Sequence, residues 1–132
     1  MSESALCPCH SEQLYTDCCE PFHTGTAYPS SALQLMRSRY SAYALRLVHY
    51  LVKTTHPDKA KSSLQRNLMQ SVHNITWTNL TIIKTSAGTA DDKVGKVSFE
   101  ATYMEAGREY SMVEHSRFRK RDGKWYYYDG KG

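Results

Sequence analysis

All four cysteines of this 132-residue chain lie near its start, as Cys7-Pro8-Cys9 and the adjacent pair Cys18-Cys19. Thiols kept for core packing have no reason to cluster. A disulfide framework would staple distant segments, and no cysteine follows Cys19 with which to do so. Neighbours such as Cys18 and Cys19 are also too close for a relaxed disulfide with each other. Two soft ligands from one turn and two from the next element form a tetrahedral thiolate site, for which zinc is the default metal. The competing reading is a redox-active or merely structural set of thiols. Pro8 has no N–H and stiffens the turn that presents Cys7 and Cys9. The stretch Ser11 to Asp17 is expected to form a short helix, capped by Ser11 and carrying Cys18 and Cys19 at its end. His10 and His23 are rival ligands by position, but four thiolates already fill the shell. With no position left for water or substrate, such a metal is structural: one Zn²⁺ per chain.

Glu114 is the other residue whose setting could do chemistry. On a strand it shares a face with Tyr110, Met112, Ser116 and Phe118, which are largely apolar or small. A carboxylate there must be paired or titrate abnormally. Arg37 and Arg39 are its natural partners, with Tyr40 and Tyr43 as hydroxyl donors. The plainer reading is an ion pair tying helix to sheet. The sharper one is a pocket in which Arg37, Tyr40, Tyr43, Glu114 and Ser116 hold a ligand. Glu114, His115 and Ser116 do not make a hydrolase triad, since strand neighbours point to opposite faces. His56, before Pro57, reads as a capping or solvated residue rather than part of a pocket mouth. Arg117, Arg119, Lys120, Arg121 and Lys124 are interleaved with Trp125 and Tyr126 to Tyr128. That pattern suits single-stranded nucleic acid, although charge protecting an edge hairpin, with alternate aromatics in the core, explains it more simply.

Pro21 to Pro29 reads as a linker. Ser30 or Ser31 then caps a long helix with Leu33, Met36, Tyr40, Tyr43 or Ala44, Leu47 and Leu51 along one face. A break near Ala44-Leu45-Arg46 would divide it in two, and the pattern leaves both readings open. The residue before Pro57 ends the segment, and another helix is expected within Ser62 to His73. After Trp77 the period becomes two: Leu80 to Lys84, then Val97-Phe99-Ala101-Tyr103, then Glu109 to Arg121. Glu105 to Arg108 is a turn, and Asp122-Gly123 is a hairpin signal leading into Trp125 to Tyr128. Helices followed by a meander of strands predict an α+β domain with helices on one sheet face.

A chain of this length fits one domain, here 26–132, plus a small metal-binding appendage, 1–25. The formal charge of +4 is mild, and four thiolates with one Zn²⁺ would lower it, so nucleic acid is not the expected partner. No apolar run approaches a membrane span. Met1-Ser2-Glu3-Ser4 lacks the features of a signal peptide, and with clustered reduced thiols this predicts a cytoplasmic protein. The triplets Asn74-Ile75-Thr76 and Asn79-Leu80-Thr81 are then chance glycosylation matches.

The run C-P-C-x-S-x-x-x-Y-x-x-C-C resembles the SEC-C motif, the zinc knuckle at the C-terminus of the preprotein translocase motor SecA. It also resembles the N-terminus of the YchJ-like family of small bacterial proteins. Leu35 to Tyr43, Tyr50 to Pro57, Glu114 to Phe118 and Gly123 to Gly130 look like that family's hallmark stretches. Two departures stand out: His10 and Glu12 occupy positions where the knuckle usually has glycines. Many members also carry a second knuckle after the closing D-G, which would be absent or cut away here. The resemblance implies a nuclear-transport-factor-like (cystatin-like) curved antiparallel sheet around the long helix. Two functions are then in view. One is an adaptor whose zinc knuckle docks to a macromolecule, such as a protein chaperone or the ribosome. The other is an enzyme or carrier holding a small polar or anionic ligand, with Glu114 as base or anchor.

Overall fold

The computed structural model describes residues 5–132. The reading of Met1 to Ser4 as free of a signal peptide lies outside the described residues. After the cysteine-bearing segment come helices α1 (Glu20–His23), α2 (Ala32–Leu45), α3 (Val48–Lys53) and α4 (Leu64–Asn74). Four strands follow: β1 (Thr76–Ala87), β2 (Val94–Glu105), β3 (Arg108–Arg121) and β4 (Lys124–Lys131). They form one antiparallel meander in the order β1-β2-β3-β4, and α2 packs against β1, β2 and β4. The α+β expectation therefore holds.

Local chemistry explains the joints. Ser31 caps α2, its Oγ accepting from the Gln34 N–H at 3.1 Å, while Gln34 Oε1 accepts from the Ser30 N–H at 2.8 Å. The break near residues 44–46 is real. Arg46 sits at φ 63°, and the Leu47 N–H reaches back to the Ala42 carbonyl at 2.8 Å, closing a Schellman motif. Both tight hairpins place two residues at positive φ: Ala106 and Gly107 at 53° and 80°, Asp122 and Gly123 at 52° and 79°. That is the turn whose twist matches paired strands. Register shifts occur at Trp77/Asn79, Ile82/Lys84 and Arg117/Phe118, where the strands bend.

Two features differ from expectation. The helix capped by Ser11 does not form; only a 3-10 turn at Tyr15–Asp17 does. His10 and Glu12 stand at φ 64° and 71°, the left-handed region, which no helix can pass through. The single buried stripe expected on α2 is also too narrow, because Leu35, Ser38, Arg39, Ser41 and Ala42 are buried as well. The helix is enclosed by the sheet on one side, by α3 on another and by the cysteine segment on a third. Cys7, Cys9 and Cys19 belong to the same apolar cluster as Leu35, Met36, Val97 and Phe118, so the core runs across residue 25 without a break.

Candidate functional site

The four cysteine sulfurs lie within 4.8 Å of one another. Cys18 Sγ is 3.6 Å from that of Cys9 and 3.8 Å from that of Cys19. A tetrahedron with metal–sulfur bonds of about 2.3 Å has edges of about 3.8 Å, so the donor set fits one four-coordinate metal. Charge argues the same way, since sulfurs this close cannot all be thiolates without a countercharge. Hydrogen bonds from Cys19 and Cys7 hold the Cys9 thiol far below its usual range. Cys19 is pushed far above its range by hydrogen bonding to Cys7 and then Cys9, with burial adding to it. A divalent cation removes that conflict.

The backbone around the cluster is well tied. The Cys7 N–H donates to the Gln13 carbonyl at 2.8 Å, and Leu6 bridges Leu14, so residues 5–15 fold back as a small ribbon. Ser11 is not a helix cap. Its hydroxyl lies 3.2 Å from Cys18 Sγ. Arg37 Nη1 donates to the Cys9 carbonyl at 2.8 Å, fixing α2 to the first ligand turn. His23 makes the second tie. Its Nε2 meets the Ser38 carbonyl at 2.8 Å, so that nitrogen carries the proton, and Nδ1 accepts from the Tyr15 hydroxyl at 2.7 Å. Burial lowers its pKa. Both ring nitrogens are thus committed away from the sulfurs. His10 instead meets the Tyr40 ring edge-on, with centroids 5.8 Å apart.

Behind α2 lies a cavity of about 280 Å³ between the helix and the concave face of the sheet. One wall is aromatic: Trp77 packs against Tyr40, Tyr43 and Tyr103 at centroid distances of 5.8, 6.1 and 5.1 Å, and Tyr103 stacks on Tyr110. Glu114 lies opposite. Its Oε2 accepts from the Ser116 hydroxyl at 2.5 Å and from the Tyr127 hydroxyl at 3.2 Å. Burial, and then the Glu114 charge, push the Tyr127 pKa well up, so its hydroxyl stays a donor.

Of the pocket candidates read from sequence, Tyr40, Tyr43, Glu114 and Ser116 line this cavity and Arg37 does not. Arg37 points to the cysteine turn because it lies two residues from Arg39, on another side of a 3.6-residue helix. Among the described residues no arginine or lysine forms an ion pair with Glu114. Arg39, its other proposed partner, also lines the cavity but is not paired with Glu114. Nη1 donates to the Leu51 carbonyl at 2.9 Å and to Thr54 Oγ1 at 2.7 Å, and the guanidinium lies 4.5 Å over the Tyr127 ring. His115 turns outward to Ser98, its Nδ1 2.7 Å from Oγ, consistent with rejecting a triad. His56 is 7% exposed rather than solvated, and it does cap the next turn, its Nδ1 accepting from the Asp58 N–H at 3.1 Å. Its N–H donates to the Tyr127 carbonyl at 2.8 Å, and its ring packs edge-on to Tyr126 and Tyr128. Sequence reasoning missed Tyr127 and Gly130 as parts of the site. A Cβ on Gly130 would overlap the Glu114 carboxylate, and a lone glycine in an aromatic strand is the signal that could have revealed it.

Comparison with known proteins agrees with this architecture. Residues 31–130 match the family described as YchJ, middle NTF2-like domain. A UPF0225 protein of Vibrio vulnificus is 43% identical over 127 residues, covering 96% of this chain and 75% of that protein. The solution structure of a SEC-C motif containing protein from Rhodopseudomonas palustris superposes with a TM-score of 0.87 at 34% identity, over 96% of this chain and 97% of that one. The crystal structure of a SEC-C motif containing protein from Psychrobacter arcticus gives 0.79 at 26% identity, over 98% and 84%. The chain belongs to the YchJ-like UPF0225 family, an α+β domain of NTF2-like type preceded by a cluster of four cysteines.

Proposed function

We propose that this protein is a receptor for a small molecule that offers an amine or another hydrogen-bond donor to Glu114, and that a structural Zn²⁺ on the four cysteines braces the helix forming one wall of the receptor site. The observation that carries this reading is the Glu114 carboxylate. It faces an aromatic-walled cavity, it is held by two hydroxyl donors on Oε2, and it has no cationic partner among the described residues. Aromatic faces beside a carboxylate favour a positively charged or donor-bearing guest. An anionic guest would meet the carboxylate, while Arg37 is absent from the lining and Arg39, which is in it, commits Nη1 to Leu51 and Thr54 and lies over the Tyr127 ring.

The test uses one scaffold with three head groups: phenethylamine, phenethyl alcohol and 3-phenylpropionate. Binding is followed through the Trp77 and Tyr103 resonances. The amine is expected to bind best and to lose its advantage over the alcohol in Glu114→Gln. Preference for the carboxylate, or no response of these rings to any of the three, would sink the reading.

A second reading is an adaptor whose knuckle docks to a protein chaperone or the ribosome. It is favoured by Leu6 and Leu14, 63% and 37% exposed, which pair on the small ribbon. Leu6→Ser with Leu14→Ser would abolish co-purification of such a partner while leaving the metal content and the amine response intact.

A further inference from the structure

The basic and aromatic residues of the last hairpin have a plain explanation if β4 is an open sheet edge. It is not open throughout. The Tyr127 N–H donates to the Thr54 carbonyl and the His56 N–H to the Tyr127 carbonyl, both at 2.8 Å, and Thr55 bridges Tyr127 in parallel. The segment 54–56 therefore covers this edge at Tyr127, which leaves less of it for the charges to protect. The aromatics alternate as expected. Trp125 and Tyr127 enter the core, whereas Tyr126 and Tyr128 turn to the other face with His56.

Beside this covered edge is a second cavity of about 330 Å³, enclosed by residues 22–29, α3 and the start of β4. Its floor includes the buried rings of Tyr50 and Trp125, and its rim carries Tyr28, Tyr126, Lys53 and Lys124. Tyr28 is 56% exposed, and Lys124 Nζ lies 4.3 Å over its ring. No acidic residue lines the cavity, and among the described residues neither lysine forms an ion pair. The charged, aromatic surface continues from there. Arg119 lies opposite Tyr126 across the hairpin and places its guanidinium 3.7 Å over the Tyr128 ring, while Lys59, 4.9 Å from the same ring, is paired with Asp129 at 3.9 Å.

We infer that this cleft is a site for a nucleotide unit, its planar base against Tyr28 and Tyr126 and its phosphate between Lys53 and Lys124. Exposed aromatic faces accept any base by stacking, and lysines bind phosphate as point charges. The modest net charge of the chain is no obstacle, because no carboxylate lines the cleft that Lys53 and Lys124 flank. The unit has two sources, a free mononucleotide or a single strand. The continuation past Arg119 favours the strand, whose next phosphates would meet that surface. The inference is independent of the Glu114 cavity, with which this cleft shares no lining residue.

The experiment measures binding of fluorescently labelled decauridylate to the full chain by anisotropy at several salt concentrations, with UMP and polyglutamate as competitors. Binding that weakens with salt, falls about tenfold in Lys53→Ala with Lys124→Ala, and falls by a similar factor in Tyr28→Ala supports the site. All three positions are exposed, so the fold is retained, and circular dichroism checks this. Competition by UMP as effective per nucleotide as by the unlabelled strand assigns the mononucleotide; much weaker competition assigns the strand. Absence of binding at millimolar concentration overturns the inference. So does binding indifferent to these substitutions, or competition by polyglutamate equal to that by the unlabelled strand, which would mark a docking surface for acidic peptides.

Discussion

Gly130 on β4 lies directly against the Glu114 carboxylate on β3, leaving no room for a side chain between the strand and the acid. The Tyr127 hydroxyl, which donates to the same carboxylate, occupies the other side of that space. The backbone of β4 thus makes room for the acid that faces the cavity. Gly130→Ala should push the carboxylate off its hydroxyl donors and cost about 1–3 kcal/mol through overpacking. Glu114→Gln should cost only about 1 kcal/mol, because two hydrogen bonds weaken but no buried ion pair is broken. Urea unfolding of both variants checks the order. A larger loss for the glutamine variant would mean that Glu114 holds the fold together.

The sulfur cluster predicts a metal effect that reaches the sheet. Protein purified without chelator or added metal is expected to carry one zinc per chain, with four thiols unreactive until it is stripped. Cys9 and Cys19 are 0% and 1% exposed and share a cluster with Leu35 and Phe118. Metal removal, or Cys18→Ser, should therefore lower the single unfolding transition of the whole chain. At least about 3 kcal/mol, or roughly 10 °C, is expected. A separate early transition confined to the cysteine segment would show that the two parts are energetically independent.

Glu12 and Arg46 hold left-handed backbone at φ 71° and 63°, and both side chains are exposed. Non-glycine residues there cost about 1 kcal/mol or more. Glu12→Gly and Arg46→Gly should each stabilise the protein by about 0.5–1 kcal/mol, read as a raised melting midpoint. His10, at φ 64°, should gain less from the same change, because the substitution also removes its contact with Tyr40.

Alkaline pH should unfold the protein through its buried tyrosines. Burial raises the Tyr50 pKa to about 12 from 10.0, and Tyr127 is raised further by burial and the Glu114 charge. A raised phenol pKa contributes stability that is complete below pH 10. As pH climbs above 10 the unfolded chain releases these protons while the folded one keeps them, so stability falls by about 1.4 kcal/mol per pH unit for each group. Tyrosinate absorbance followed with circular dichroism should show these two ionising together with loss of structure. Ionisation that precedes unfolding would contradict it.

What the sequence determined by itself was whatever depends on neighbours along the chain. The cluster Cys7, Cys9, Cys18 and Cys19 names a set that could hold a metal, because its spacing leaves few other uses. Period-two alternation from Val97 to Tyr103 and the Asp122-Gly123 turn specify strands and their joint, since strand faces and positive φ are local properties. The tertiary structure decided what depends on approach between distant segments. Arg37 and Arg39 look equivalent on a helix. Only packing sends one to the Cys9 carbonyl and the other to Leu51 and Thr54. The pairing of residues 54–56 with β4 was likewise invisible, because a two-bond parallel contact leaves no periodicity. Each of these contacts joins segments whose residues carry no mark of the partner they meet, so only their approach in space could assign them.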